Sequence, residues 1–327
     1  MFETKKSGLR TIATFTIAVM LFAGAGQSAH AKESANQTTV KFLQSKFVAG
    51  KYIEGFTPGK ADYGFTLEAL LQRKALGEKS SALAKAVRFN LVNTSVVGVS
   101  PSVPGYLFDS EGKLNVGLAG KFAFVSQAMK APNGKLRSKI LQKIKASFGS
   151  NGDLKDASAT TFDRSWVILG LAANGNPKQA QRLGLALQQT QLSDGGFNDG
   201  YTLDASATDG TGIALQALAA TRNLGSTEVK SKTGTSIAKA VQYLRGTQVN
   251  GDHWEAWGDY NTNGTAYAAM GIIAAGSPSL GIATWLKNKL SSDGGLVTPW
   301  SGGSGDTYAT AQSVVPMLNL SYLSLLS

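Results

Sequence analysis

The segment Gly251-Asp-His-Trp-Glu-Ala-Trp-Gly-Asp-Tyr260 gathers two tryptophans, a tyrosine, a histidine and three acids within ten residues. Each type has a chemistry. Glu255 with Asp209 or Asp259 has the composition of a two-carboxylate glycosidase, in which one acid protonates the leaving oxygen and the other acts as base or nucleophile. His253 is the residue type that exchanges a proton near neutral pH or binds a metal through a ring nitrogen. Trp254, Trp257 and Tyr260 offer flat apolar faces with a polar edge, suited to a sugar ring or a hydrophobic organic molecule. No spacing among the acids is diagnostic of hydrolysis, and loop acids also serve as helix caps. The segment is therefore read as ligand-binding, with no residue assigned to catalysis.

The same side-chain types recur at equivalent places along the chain. Tyr201 and Trp300 lie in other loops that precede helix-like runs, and Asp163, Trp166, Asp209, Tyr267 and Tyr308 lie in the first turns of such runs. Together with His253, Trp254, Glu255, Trp257 and Tyr260 they form the candidate ligand set.

Composition removes several chemistries. The chain has no cysteine and two histidines, His30 and His253. Disulfides, thiolate zinc sites and an internal thioester are excluded, and a Ser-His-acid triad has only His253 to draw on. Lys5, Lys6 and Arg10 precede an apolar run from Thr11 to Gly26, and Ala29-His30-Ala31 supplies small residues at the cleavage positions of a secretory signal. Cleavage after Ala31 is expected, giving a secreted chain with a short linker over 32–37 and one domain over 38–327. No second apolar run of spanning length follows, so no stable membrane anchor is expected. Loss of three cations and Glu3 with the signal takes the formal charge from +11 to +9. The lysines are spread along helix faces without a basic-aromatic module, which argues against nucleic acid as a partner.

The elements that must position these residues are helices in pairs. Leu83-Ala-Lys-Ala-Val-Arg-Phe89 matches Ile237-Ala-Lys-Ala-Val-Gln-Tyr243 almost position for position, each with one apolar face. Six such amphipathic helices are predicted near 38–50, 81–95, 135–148, 177–191, 236–248 and 279–291. Six helices apolar nearly all round alternate with them, near 62–76, 115–129, 160–174, 208–223, 264–275 and 306–323. Gly77, Gly175, Gly225 and Gly276 are predicted to close helices of the second type, and Asp62, Asp163, Asp209, Asn263 and Asp306 to cap or complement their first turns. Strict alternation predicts two concentric layers and a ring closed by six pairs, an all-α, α6/α6 toroid with no β-rich segment. Asp194-Gly195-Gly196-Phe197 and Asp293-Gly294-Gly295-Leu296 are the turns between an outer helix and the next inner one, returning an apolar side chain to the core. Asn250-Gly251-Asp252-His253-Trp254 is a weaker cousin of the same turn.

A helix, then Gln-x-x-Asp-Gly-Gly-Phe over Gln191–Phe197, then a buried helix resembles the repeat of the prenyltransferase and squalene-cyclase superfamily. The resemblance covers nearly the whole chain after residue 31; it is specific for fold and unspecific for function. It implies the α6/α6 toroid with outer-to-inner loops gathered at one mouth. The zinc of protein prenyltransferases is held by Asp, Cys and His, and the thioester domain needs Cys, so both activities are disfavoured here. Class II terpene cyclases use Asp-x-Asp-Asp, and no Asp-Asp dipeptide occurs in this sequence. Cobalamin carriers of the superfamily need no catalytic residue and are secreted. By that resemblance the expected function is non-catalytic capture of a small organic ligand at the mouth, with no required cofactor. A corrinoid is the implied ligand, and His253 is a candidate axial ligand to its cobalt. Those carriers cover the ligand with a smaller β-domain that does not follow Tyr322-Leu-Ser-Leu-Leu326 here, so a partner protein supplying a lid, or a membrane transporter receiving the ligand, is expected. The alternatives are a carbohydrate-active enzyme using a carboxylate pair and a divergent terpene-cyclase-like enzyme using a cavity acid such as Asp209.

Overall fold

The computed structural model describes residues 36–93 and 105–327; the predicted signal segment lies outside them. Helix α1 (36–46) opens the described chain. It is followed by α2 (Tyr63–Ala75), α3 (Ser80–Val87), α4 (Val116–Ala128), α5 (Gly134–Ala146), α6 (Thr161–Ala173) and α7 (Pro177–Gln189). Then come α8 (Thr208–Thr221), α9 (Thr227–Gly246), α10 (Thr262–Ala274), α11 (Leu280–Asn288) and α12 (Thr307–Met317). The even-numbered helices touch their neighbours in the order α2, α4, α6, α8, α10, α12 and back to α2. The odd-numbered ones pack outside them, and the fold is the predicted α/α toroid.

Patterning explains the layers. Outer helix α5 buries Leu136, Ile140, Leu141 and Ile144 and turns its lysines to water, whereas inner helix α8 buries every residue from Gly210 to Ala219. Two joints of the inner ring are closed by glycine. A Cβ on Gly120 of α4 would fall 2.6 Å from the Trp166 carbonyl carbon, and one on Gly170 of α6 2.5 Å from the Gly120 oxygen. Gly212 of α8 and Gly271 of α10 meet in the same way, 2.3 and 2.6 Å from facing backbone. Backbones that close exclude any larger residue. The ring is tied at its seam by the Val315 amide, which donates to Gln72 Oε1 at 2.7 Å.

The Asp-Gly-Gly turn binds layer to layer. Asp194 Oδ1 accepts from the Gly196 amide and the Ser206 hydroxyl, while Gln191 exchanges hydrogen bonds with Ser236 of the next outer helix. Phe197 is buried, and its amide donates to Thr211 Oγ1 in the first turn of α8. The same bond recurs from Ile53 to Thr66, Trp254 to Thr265 and Leu296 to Thr310. In each case the threonine is the fourth residue of its inner helix.

Departures from the sequence expectation have local causes. α9 begins at Thr227 because Ser226 caps it and Glu228 pairs with Lys232 one turn on, signals that apolar periodicity does not register. α12 stops at Met317 because Asn319 takes a left-handed conformation. The chain then forms a 3-10 turn, Tyr322–Leu326, that plugs the barrel from the C-terminal ends of the inner helices. The second outer-layer expectation, 81–95, is α-helical to Val87 and continues as a π-turn, Arg88–Val92. Short strands also occur: β1 (Phe47–Val48), β2 (Tyr52–Glu54) and β3 (Ala61–Asp62) in one sheet, β4 (Glu255–Ala256) and β5 (Asp259–Tyr260) in another. Asn261, rather than Asn263, caps α10. Asp209 lies in the first turn of α8 without capping it.

Candidate ligand cleft at the mouth of the toroid

The inner helices deliver their residues to the axis in layers. The second residues of α2 to α12 are Gly64, Gly117, Phe162, Asp209, Asn263 and Tyr308; the sixth, one turn deeper, are Glu68, Lys121, Trp166, Ile213, Tyr267 and Gln312. The deeper layer is buried to half-buried and carries a polar cluster beside Trp166 and Ile213. Buried Glu68 pairs with Lys121 and accepts from the Tyr267 hydroxyl at 2.6 Å and from the Tyr322 hydroxyl of the plug at 2.9 Å. Gln312 links this cluster upward to Asn263, whose Nδ2 donates to Gln312 Oε1 at 2.6 Å.

Above Asn263 a cleft of about 370 Å³ opens between the N-termini of α8, α10 and α12. Its walls carry Trp257, Tyr260, Trp300, Tyr308 and Phe56, and its polar groups include Asp209, Asp306, Asn263 and Thr262. Trp257 and Gly258 make the two-residue turn between β4 and β5, with φ of +56° and +84°. Such a conformation is rare for a bulky side chain. It holds the indole out, 87 % exposed; Trp300 is 72 % and Phe56 82 % exposed. Phe56 leans on Tyr308, ring centroids 4.4 Å apart, but neither indole has a ring partner or side-chain hydrogen bond among the described residues.

Five of the candidate residues therefore meet at this cleft: Asp209, Trp257, Tyr260, Trp300 and Tyr308. The others are elsewhere. Trp254 is fully buried in the wall, its Nε1 donating to the Leu244 carbonyl and Thr247 Oγ1. Trp166 and Tyr267 belong to the closed axial layer, and Trp166 packs on Phe124 and Tyr322. His253 is 9 % exposed, stacked on Trp285 of α11 at 4.8 Å and bonded through Nδ1 to Asp252. Glu255 is exposed on β4, its carboxylate 3.8 Å from His253 Nε2. Asp163 closes a capping box, accepting from the Thr160 amide while Thr160 Oγ1 accepts from its own. Tyr201 stands 93 % exposed on the neighbouring loop with Leu203. Phe56, Asn263 and Asp306 line the cleft and were not among the candidates; Asn263 and Asp306 carried a signal only as helix-start residues.

Burial pushes the Asp209 carboxyl above the ordinary carboxylate range, and Asp199 adds to this, against the hydrogen bond from the Gly210 amide. Asp306 caps α12, its Oδ1 accepting from the Ala309 amide at 2.7 Å. Among the described residues no cluster of acidic or histidine side chains could hold a metal ion, and no helix is long and apolar enough to cross a membrane.

No protein-family model and no curated protein matches the sequence. Solved structures do match. The type II terpene cyclase MstE from Scytonema is similar over 88 % of this chain and 98 % of its own, at 14 % identity and a TM-score of 0.62. The GH76A α-1,6-mannanase from Salegentibacter sp. HEL1_6 is similar over 90 % and 100 %, at 12 % identity and a TM-score of 0.62. Haptocorrin in complex with Cbi is similar over 91 % and 68 %, at 9 % identity and a TM-score of 0.58. These likenesses show the fold, an α/α toroid on which a cyclase, a mannanase and a ligand-bound protein are all built. At these identities the fold is what is shared, and function has to be argued from the cleft.

Proposed function

We propose that the chain is a secreted protein that captures a small organic ligand in the cleft between α8, α10 and α12. One observation carries this reading. Phe56, Trp257 and Trp300, three large apolar side chains left mostly in water, gather around a single concavity, and Tyr201 and Leu203 stand exposed on the adjoining loop. Contiguous exposed apolar surface of this kind marks a binding site. The left-handed backbone at Trp257 adds to it, since strain at a bulky residue persists where display of that side chain serves a function. A cleft of about 370 Å³ lies toward the small end of the ~300–1,000 Å³ typical of ligand pockets, enough for one or two rings. A corrinoid, the ligand implied by the superfamily resemblance, would have to bind without His253, whose ring is covered by Trp285. A partner supplying a lid, or a transporter receiving the ligand, would meet this same open mouth.

Native mass spectrometry of the protein purified from culture medium tests the reading. A retained small molecule of unchanged mass, lost in the Trp257→Ala/Trp300→Ala double variant, is expected. Retention unaffected by the double variant would sink the assignment to this cleft.

A second reading has its own observation. Asp209, with its raised pKa, and Asp306 share the cleft, so a carbohydrate-active enzyme would use these two acids, since Glu255 does not line it. Release of reducing ends from α-mannan or other glycans, abolished by Asp209→Asn, would favour catalysis over capture.

A further inference from the structure

The charged groups of the cleft are opposite in sign to the formal net charge of the sequence. The sequence carries a formal +11, yet among the described residues the only charged side chains lining the cleft are acids, Asp209 and Asp306. Neither forms an ion pair among the described residues. Each is held instead by a backbone amide, Gly210 N to Asp209 at 2.8 Å and Ala309 N to Asp306 at 2.7 Å. Five aromatic side chains share the wall with them, and the faces of Trp257 and Trp300 have no ring partner among the described residues. An indole face is the negative side of its quadrupole and attracts a cation more strongly than any other side-chain ring. Carboxylates and ring faces thus favour the same thing. A neutral ligand without hydrogen-bond donors would gain nothing from two carboxylates that it also strips of water, whereas a cation offsets that loss with its charge as well. Tyr260 already carries an ammonium from outside the cleft lining: Lys289 Nζ lies 3.5 Å from the centroid of its ring and 4.8 Å from that of Trp285.

Resting on the capture reading above, we infer that the ligand is a small organic cation. An alkylated ammonium group seats on the Trp257 and Trp300 faces with its charge toward Asp209 and Asp306. The aromatic walls hold the alkyl groups, and the acids, acting over the width of the cleft, select the charge.

Choline and its neutral carbon isostere, 3,3-dimethylbutan-1-ol, separate charge from shape. In calorimetric or NMR titration of the purified protein, choline is expected to bind at least tenfold more tightly. Asp209→Asn should reduce that preference and Trp257→Ala should weaken choline at least tenfold, with circular dichroism confirming that both variants are folded. Equal binding of the two probes would overturn the inference, as would a neutral molecule found as the retained ligand; ligand capture would survive both results. No retained molecule together with no choline binding would remove both readings.

Discussion

Replacing Trp257 by glycine should leave stability within about 1 kcal/mol of the parent, while replacing Trp254 by alanine, three residues earlier, should cost about 4–6 kcal/mol. The first figure follows from what Trp257 covers. A tryptophan side chain has up to ~250 Å² to bury. At 87 % exposure only about 30 Å² is covered, worth about 0.8 kcal/mol at ~25 cal/mol/Å². Against this, glycine relieves a left-handed residue at φ +56°, a strain of about 1–2 kcal/mol, and adds chain entropy to the unfolded state. The terms nearly cancel. Trp254 is 1 % exposed, so its removal leaves a core cavity, about 3–5 kcal/mol. It also strips the Leu244 carbonyl and Thr247 Oγ1 of their donor, about 1 kcal/mol more. Urea unfolding followed by far-UV circular dichroism measures both, and titration with the retained ligand or with choline measures function. Trp257→Gly should bind at least tenfold more weakly, about 1.4 kcal/mol or more. If it instead unfolds as readily as Trp254→Ala, the indole is a packing element and the argument from exposure is refuted.

Asp209→Asn should stabilise the fold at neutral pH. Burial raises the folded pKa of Asp209, so its penalty is absent below about pH 4, where folded and unfolded forms are both protonated, and grows as pH rises through the folded value. The variant's advantage in urea midpoint should therefore vanish in acid; an advantage that persists there would have another origin. The groups in the field of this carboxylate are Asp199, Tyr243 on α9 and Tyr267 on α10. The tyrosines are neutral at such pH, so choline affinity should fall as the solution is acidified through the Asp209 titration. Gly195→Ala should destabilise by about 1–3 kcal/mol or more, because φ is +92° and the added Cβ meets the Lys239 carbonyl oxygen at 2.7 Å. Gly251→Ala, with φ +76° and open space around it, should cost only about 1 kcal/mol in the same assay. Tyr322→Phe should cost about 1.5–3 kcal/mol in urea unfolding, since it removes a buried hydrogen bond to the Glu68 carboxylate; no loss would mean that the plug does not hold the axis.

The layers were legible because burial acts on whole helix faces. Lysines on one side of Gly134–Ala146 and unbroken small and apolar residues from Gly210 to Ala219 report outer and inner positions without knowledge of neighbours. Caps located most inner-helix starts to within a residue or two. What could not be read was set by single residues acting through tertiary contacts. The C-terminal plug is one. Tyr322–Leu326 continues an apolar run that reads as helix, and it leaves the helix because Asn319 turns left-handed and because Glu68 and Gln216, far away in sequence, hold Tyr322 on the axis. The polar axial layer is another, since Glu68 and Lys121 lie 53 residues apart and nothing local pairs them.

The site was half legible, and the division has a physical cause. The 251–260 segment was recognised for its composition, but composition does not say which aromatic faces which way. That is fixed by the turn. His253, Trp254 and Glu255 follow Asn250 and Gly251 as Phe197 follows Asp194-Gly195-Gly196, and the amide of Trp254 bonds Thr265 as that of Phe197 bonds Thr211. Trp254 is thus the core residue of its repeat, and aligning the two turns already places it there. Trp257 stands where the repeat has no counterpart, on the tip of a hairpin inserted between the turn and α10. The same comparison isolates Trp300, which follows the buried Leu296 by four residues in a loop before α12. The aromatics that the repeat demands at these turns pack the wall, and the exposed aromatics of the cleft stand on segments added to it. Phe56 obeys the same rule, three residues beyond the buried Ile53 in the loop between β2 and β3, so the exposed aromatics of the cleft come from three unrelated segments.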